Sequence, residues 1–151
     1  MDAMTCKLCG QKRAHPGDTV ERWTFGDLTI AVTVPATVCD ACGESLVHGD
    51  DLARAENAVT RALIDAGSTD PKAVRWLRKA AGLRAIDLAE LLDVAAETVS
   101  RWENGARAID RAALAVLAGL VLDALEGITT TRDRLRALGA HPAKGEVRAV
   151  A

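Results

Sequence analysis

Two runs near the start of the chain, V-E-R-W-T-F and L-T-I-A-V-T-V, are rich in β-branched and aromatic side chains and flank Gly26-Asp27. Such a pattern predicts two short strands, over 20–25 and 28–34, joined by a tight turn. A polar loop over 11–18 is expected before them, and Pro35 is expected to end the second strand. Beyond residue 50 the period changes. Leu52, Ala55, Val59, Ala62, Leu63 and Ala66 recur at helical spacing, which predicts a helix over 50–66 with Asp50 as N-cap and Gly67 as stop. G-S-T-D-P then reads as a linker whose Asp70-Pro71 also starts the next helix. Five helices are expected behind it, over 71–81, 85–92, 96–103, 110–125 and 130–138. The pattern divides the chain into a front domain over 1–66, a linker over 67–70, a helical domain over 71–138 and a flexible tail over 139–151.

Composition sharpens this division. Apolar residues make up 49 % of the chain but aromatics only 3 %, so any core is aliphatic and rich in alanine. Net charge is −2, unevenly distributed. Residues 1–70 carry 6 Lys/Arg against 11 Asp/Glu, and residues 71–151 carry 13 against 10. An acidic front and a basic back point to two different kinds of partner. No uncharged apolar run is long enough to span a bilayer, and no apolar leader core follows Met1, so a cytoplasmic protein without a membrane partner is expected. No Ser/His/Asp arrangement, phosphate loop or H-E-x-x-H motif points to an enzyme.

All four cysteines fall in two matched segments, C-K-L-C-G and C-D-A-C-G, spaced C-x2-C-x29-C-x2-C. Two residues between cysteines let both sulfurs reach one ion, and the following glycine lets the chain turn back at positive φ. Four thiolates suit one structural zinc ion in a closed tetrahedral site, with Cys6, Cys9, Cys39 and Cys42 as ligands. Paired disulfides fit a reducing compartment poorly, and a redox C-x-x-C lacks its βαβ context. A rubredoxin-like iron site uses similar knuckles and stays open as an alternative. His15 and His48 lie near the knuckles but are expected at the surface, because four cysteines already fill the shell. A front segment this short cannot bury a self-sufficient core. Structural zinc contributes about 10–16 kcal/mol of apparent free energy in finger peptides, so the ion is expected to supply what the core lacks.

Residues 85–104 meet the steric demands of a helix-turn-helix. Ala89 is small where two helices would touch, and Asp93 stands four positions later at the turn. Leu88, Leu91, Val94, Val99 and Trp102 supply apolar anchors, and Gly105 ends the second helix. T-V-S-R-W-E-N-G resembles the end of the recognition helix in Xre/Cro-type repressor domains, and G-L-R-A-I-D-L-A-E-L-L-D-V resembles their helix 2. In some members an ion pair equivalent to Arg78 with Glu103 links helix 1 to the end of helix 3. Joined to two C-x-x-C-G knuckles, the second of them C-x-x-C-G-E-S, the whole resembles the MqsA-like antitoxins over roughly residues 1–125. That resemblance implies a YgiT-type zinc-binding front domain ahead of an Xre/Cro-type helix-turn-helix domain. The fold class expected is therefore a small zinc-bound β-hairpin domain plus an all-α domain. The implied function is a DNA-binding antitoxin of a type II toxin–antitoxin system. It would neutralise a cognate toxin, typically a small basic mRNA-cleaving ribonuclease, and repress its own operon. A stand-alone zinc-stabilised transcription regulator is the alternative, and an electron carrier with a rubredoxin-like head is a third reading.

Docking geometry assigns the DNA-facing residues. With Val99 and Trp102 facing inward, Ala96, Glu97, Ser100 and Arg101 face out toward the major groove. Arg101 suits a bidentate contact to guanine, and Glu97, an acceptor only, suits cytosine. MqsA-like proteins tend to carry Asn where this chain has Glu97. Arg84, Thr98 and Asn104 suit phosphate contacts, and Arg107 and Arg111 suit phosphate or the minor groove. The helix over 110–125 is apolar almost all round and must be covered on most sides. A homodimer formed partly through it would present two recognition helices to a palindromic operator.

Overall fold

The computed structural model describes residues 2–139 and 144–150. Two compact units appear, Met1–Gly67 and Ser68–Ala151. The first is a three-stranded antiparallel sheet, order β1-β2-β3, with one helix. Strands β1 (Ala14–Phe25) and β2 (Leu28–Cys39) form a long hairpin in continuous register from Phe25↔Leu28 to Ala14↔Cys39. Gly26 has φ 59, as the first position of a two-residue hairpin turn requires.

Both strands are longer than the sequence pattern predicts. The segment expected as a polar loop joins β1 from Ala14 onward, and Pro35 lies within β2 rather than at its end. The reason is the register. A two-residue turn makes Phe25 and Leu28 a hydrogen-bonded pair, so alternate pairs leave the nitrogens of Pro16 and Pro35 on the outer edges of the hairpin. Neither proline therefore removes a bond between β1 and β2. Strand β3 (Ser45–Val47) was not anticipated. Its three residues pair with β2 only at Ala36, Thr37 and Val38, too short a run to show alternation.

Helix α1 (Gly49–Ala66) packs on β2. It buries Ala55, Val59, Thr60 and Leu63, while β2 contributes Ile30, Val34 and Ala36. Leu52, expected on the inner face, is 38 % exposed. The helix starts one residue earlier than expected. His48, not Asp50, is the N-cap, and its side chain makes no capping bond. Asp50 and Asp51 instead occupy the first turn, where carboxylates offset the helix dipole. Gly67 ends the helix in the left-handed conformation, φ 60.

The second unit is helical: α2 (Pro71–Ala80), α3 (Ala85–Leu92), α4 (Ala96–Asn104), α5 (Arg111–Leu125) and α6 (Thr130–Ala137). Asp70 caps α2 by accepting from the Lys72 amide at 2.9 Å, with Pro71 at the first helical position. Asp110 caps α5 in the same way through the Ala113 amide, and so lies outside the helix it was expected to begin. The core gathers Ala73, Val74, Leu77, Leu88, Val99, Trp102, Leu117 and Val121, all buried. Among the described residues no acceptor meets the buried indole N–H of Trp102. Residues 140–143 and 151 of the expected tail lie outside the described residues, and 144–150 carry no helix or strand. Among the described residues no helix is long and apolar enough to cross a membrane.

Candidate functional site

The two cysteine knuckles are built alike. In the first, the Cys6 amide donates to the Gln11 carbonyl (2.8 Å) and the Gly10 amide to the Cys6 carbonyl (2.9 Å). In the second, the Cys39 amide donates to the Glu44 carbonyl (3.0 Å) and the Gly43 amide to the Cys39 carbonyl (2.8 Å). Gly10 and Gly43 both have φ 74, a conformation that a side chain would strain. The hairpin sets the knuckles side by side, because the β1–β2 ladder ends on Ala14↔Cys39 and a Met4↔Ala14 bridge draws the first knuckle onto that end.

The four Sγ atoms consequently lie within 4.8 Å of one another. Cys6 and Cys42 stand 3.9 Å apart, and Cys9 and Cys39 3.7 Å apart. Four sulfurs held at about 2.3 Å from one tetrahedral ion would stand about 3.8 Å from each other. That spacing is far too wide for disulfides, and the cysteines are free thiols. The donor set and its geometry fit a single metal ion. Cys6 and Cys39 are buried and Cys9 and Cys42 exposed, so each knuckle contributes one inner and one outer ligand.

Thiol acidities express the same crowding. The backbone amides of Cys9 and Leu8, the latter 3.4 Å from the sulfur, bring Cys6 down to about 7. For Cys42 the Glu44 amide pulls downward, but desolvation and the neighbouring Cys39, Cys9 and Cys6 sulfurs outweigh it and push the thiol up to about 12. Four adjacent thiols do not all ionise without a cation to neutralise them. His15 and His48 are not in the cluster. His15 Nε2 meets Asp40 at 3.0 Å, and that carboxylate, followed by the Pro16 carbonyl, raises the imidazole above its ordinary value. His48 pairs with Thr37 at 3.4 Å.

In the helical unit α3 and α4 are joined by a short turn whose pivot is Asp93, in the left-handed region at φ 52. It is the single non-glycine residue with positive φ among those described. Ala89, Leu88, Val99 and Trp102 are buried, and Leu91 and Val94 half-buried. Arg78 and Glu103 form a buried ion pair, with a second bond from Nη2 at 3.1 Å, while Nη1 donates to the Leu83 carbonyl at 2.8 Å. Gly105 ends α4 at φ 82.

Ala96, Glu97, Ser100, Arg101, Asn104, Arg107 and Arg111 are exposed, and Thr98 is half-buried. Asn104 accepts the Ala106 amide at 2.9 Å through Oδ1. Arg84 is exposed but engaged: its Nε and Nη2 donate to Asp87 at 2.9 and 2.7 Å. The Arg84 amide donates to the same carboxylate at 3.0 Å, so Asp87 closes the start of α3. The Arg84 side chain, then its amide, hold Asp87 down to about 2. Asp87 escaped the sequence reading; a carboxylate three residues after a helix start was the available signal.

Residues 4–124 match the family described as the antitoxin component of a bacterial toxin–antitoxin system, MqsA. The chain belongs to the MqsA antitoxin family. The match runs from the first knuckle to the end of α5 and so takes in both units. The family points to a regulator with a toxin partner rather than to an enzyme. No curated protein matches the chain.

Proposed function

We propose that this protein is a zinc-bound, DNA-binding antitoxin that neutralises an mRNA-cleaving ribonuclease and represses its own operon. The observation that carries the reading is the family match across both the cysteine-bearing unit and the helical unit. The acidic front, with 11 carboxylates to 6 basic residues over 1–70, suits a basic toxin. The ion is proposed to be zinc, held by Cys6, Cys9, Cys39 and Cys42, with a purely structural role because four thiolates leave no open position. A colourless protein containing zinc by elemental analysis is expected; iron with visible absorbance would overturn that assignment. Neutralising an mRNA-cleaving enzyme requires the protein to act in the cytoplasm.

On this reading α3 and α4 form a helix-turn-helix, with α4 entering the major groove. Arg101 reads guanine, Glu97, Ala96 and Ser100 face neighbouring base edges, and Arg84, Thr98, Asn104, Arg107 and Arg111 contact the backbone. Arg84 reaches phosphate only with the Asp87 carboxylate beside it, which weakens its pull on an anion. A homodimer is proposed through the outer side of α5, where Ala112, Ala115 and Leu122 are exposed. It would set two recognition helices about 34 Å apart on a palindromic operator. Selection of operator sequences by the wild type and by Arg101→Ala tests the DNA role. The variant should keep its fold and lose about 1–3 kcal/mol of discrimination at one base pair of each half-site. Unchanged selectivity would refute the docking arrangement.

A further inference from the structure

Helix α2 carries a row of cations that the docking scheme above does not use. Lys72, Arg75 and Lys79 recur at spacings of three and four, so they share one face of the helix. All three are exposed, while Ala73, Val74, Leu77 and Arg78 are buried. We propose that this face of α2 binds the sugar–phosphate backbone of duplex DNA beside the groove that α4 enters. The inference rests on the reading above that α4 enters the major groove, and it adds a second surface to that contact.

Charge singles out this face. No Asp or Glu occurs within P-K-A-V-R-W-L-R-K-A. The preceding Asp70 is taken up by the Lys72 amide at 2.9 Å. Among the described residues none of the three side chains enters an ion pair, whereas Arg78, Arg84 and Arg148 are each paired with a carboxylate. Residues 71–151 hold 13 Lys/Arg against 10 Asp/Glu, and without Lys72, Arg75 and Lys79 the two numbers are equal. This one face therefore accounts for the whole positive excess of the helical half. Like charges three and four residues apart repel, so the row weakens the helix unless an anion covers it. A chain of phosphates, with charges spaced along a line, is the anion that matches such a row.

Position selects DNA as the source of those phosphates. Arg78 is ion-paired with Glu103 near the end of α4, and a side chain added at Gly105 would meet the Pro71 ring at 3.4 Å. Helix α2 thus runs beside α4. Arg75 stands three residues before Arg78, so the row borders the side of α2 that reaches α4. An α-helix about 10–12 Å across fills a major groove about 12 Å wide, and packed helices lie about 8–10 Å apart. A helix alongside α4 therefore lies over the rim of the groove, where the phosphates stand. Contacts to phosphate carry no base information, so this face would hold the protein on DNA without choosing the sequence.

The test uses the full-length, metal-loaded protein with two duplexes of equal length, one spanning the DNA upstream of its own gene and one scrambled. Binding is read by fluorescence anisotropy over a series of salt concentrations. Lys72, Arg75 and Lys79 are replaced by glutamine, singly and together, because glutamine matches their helix propensity. Each replacement should flatten the plot of log K against log salt by about 0.9, and the triple variant by about 2.7. Counted from 1 M, that slope makes binding about 8-fold weaker for each cation removed at about 0.1 M salt. The loss should be equal on both duplexes, so that the preference for the upstream DNA survives. Unchanged affinity and slope in a triple variant that melts like the wild type would overturn the proposal and leave the role of α4 standing. A loss confined to the upstream duplex would overturn it as well, because backbone contacts are blind to sequence. Should the triple variant melt early, Arg75→Gln alone decides by the same two criteria. A wild type that binds neither duplex would sink the reading of α4 and this inference together. A triple variant that keeps duplex binding but loses a single-stranded RNA held by the wild type would assign the face to RNA and overturn the proposal.

Discussion

Replacing Glu103 by alanine should have a large effect on the helical unit. The side chains of Arg78 and Glu103 are only 10 % and 12 % exposed, and they tie α2 to the last turn of α4. Two of the guanidinium's nitrogens bond the Glu103 carboxylate, and a third bonds the Leu83 carbonyl. In Glu103→Ala the guanidinium keeps its place in the interior with the Leu83 carbonyl as its one remaining partner. Breaking a buried pair in this way costs about 3–5 kcal/mol. Total domain stability is about 5–15 kcal/mol, so about a fifth or more would disappear. For a domain of this size, about 4–8 °C per kcal/mol implies a fall in Tm of at least about 12 °C. Far-UV circular dichroism melts of the full-length protein would read this, since five of the six helices among the described residues lie in this unit. The double variant Arg78→Met/Glu103→Leu separates the pair's net worth from the penalty of an orphaned charge. It should recover most of the loss, because apolar residues of similar volume replace buried pairs with little cost. A fall of less than about 4 °C in Glu103→Ala would mean the guanidinium finds water or another partner. A double variant as unstable as the single one would refute the reasoning outright.

Three further outcomes are expected. Asp93→Gly relieves a non-glycine residue held at φ 52 and should raise stability by about 1 kcal/mol in urea melts, whereas Asp93→Val should lower it. The Asp87 carboxyl, held at about 2 against an ordinary 3.8, contributes stability that is present above pH 3.8 and is lost as pH falls through about 2. Asp87→Asn should flatten that acid limb, and an unchanged acid limb would show that Arg84 does not engage the carboxylate in solution. Metal uptake should release protons and weaken with acidification, because all four thiols, Cys42 pushed up to about 12 among them, must ionise to bind. Calorimetry in buffers of different protonation enthalpy measures the proton release; uptake without it would exclude thiolate ligands.

What the sequence displayed and what it concealed have separate physical causes. The helices of the second unit were legible because Asp70-Pro71 and Gly105 mark their ends, residues 85–104 meet the steric demands of two helices joined by a tight turn, and α5 is a long apolar run. The tetracysteine cluster was legible because C-x-x-C spacing is a local geometric requirement that two segments met independently. The hairpin's true length was not. Pro35 reads as the end of a strand and 11–18 as a polar loop, and only the register set by Gly26-Asp27 reveals that the nitrogens of Pro16 and Pro35 face the outer edges. Strand β3 and the Met4↔Ala14 bridge exist through pairing with residues far along the chain, so no local pattern announces them. Asp87 was overlooked because its partner at the helix start is an arginine, an unusual N-cap residue.

The central claim is that an ion held by four thiolates organises the front unit. Its apolar core is small, with Phe25, Ile30, Val34, Val59 and Leu63 the largest buried aliphatic and aromatic side chains of that unit. The direct measurement is amide hydrogen exchange on the full-length protein before and after metal removal by a chelator. Protection across residues 4–47 should collapse on chelation and return when zinc is restored, while residues 71–125 stay protected throughout. Undiminished protection across 4–47 in the metal-free protein would contradict the claim.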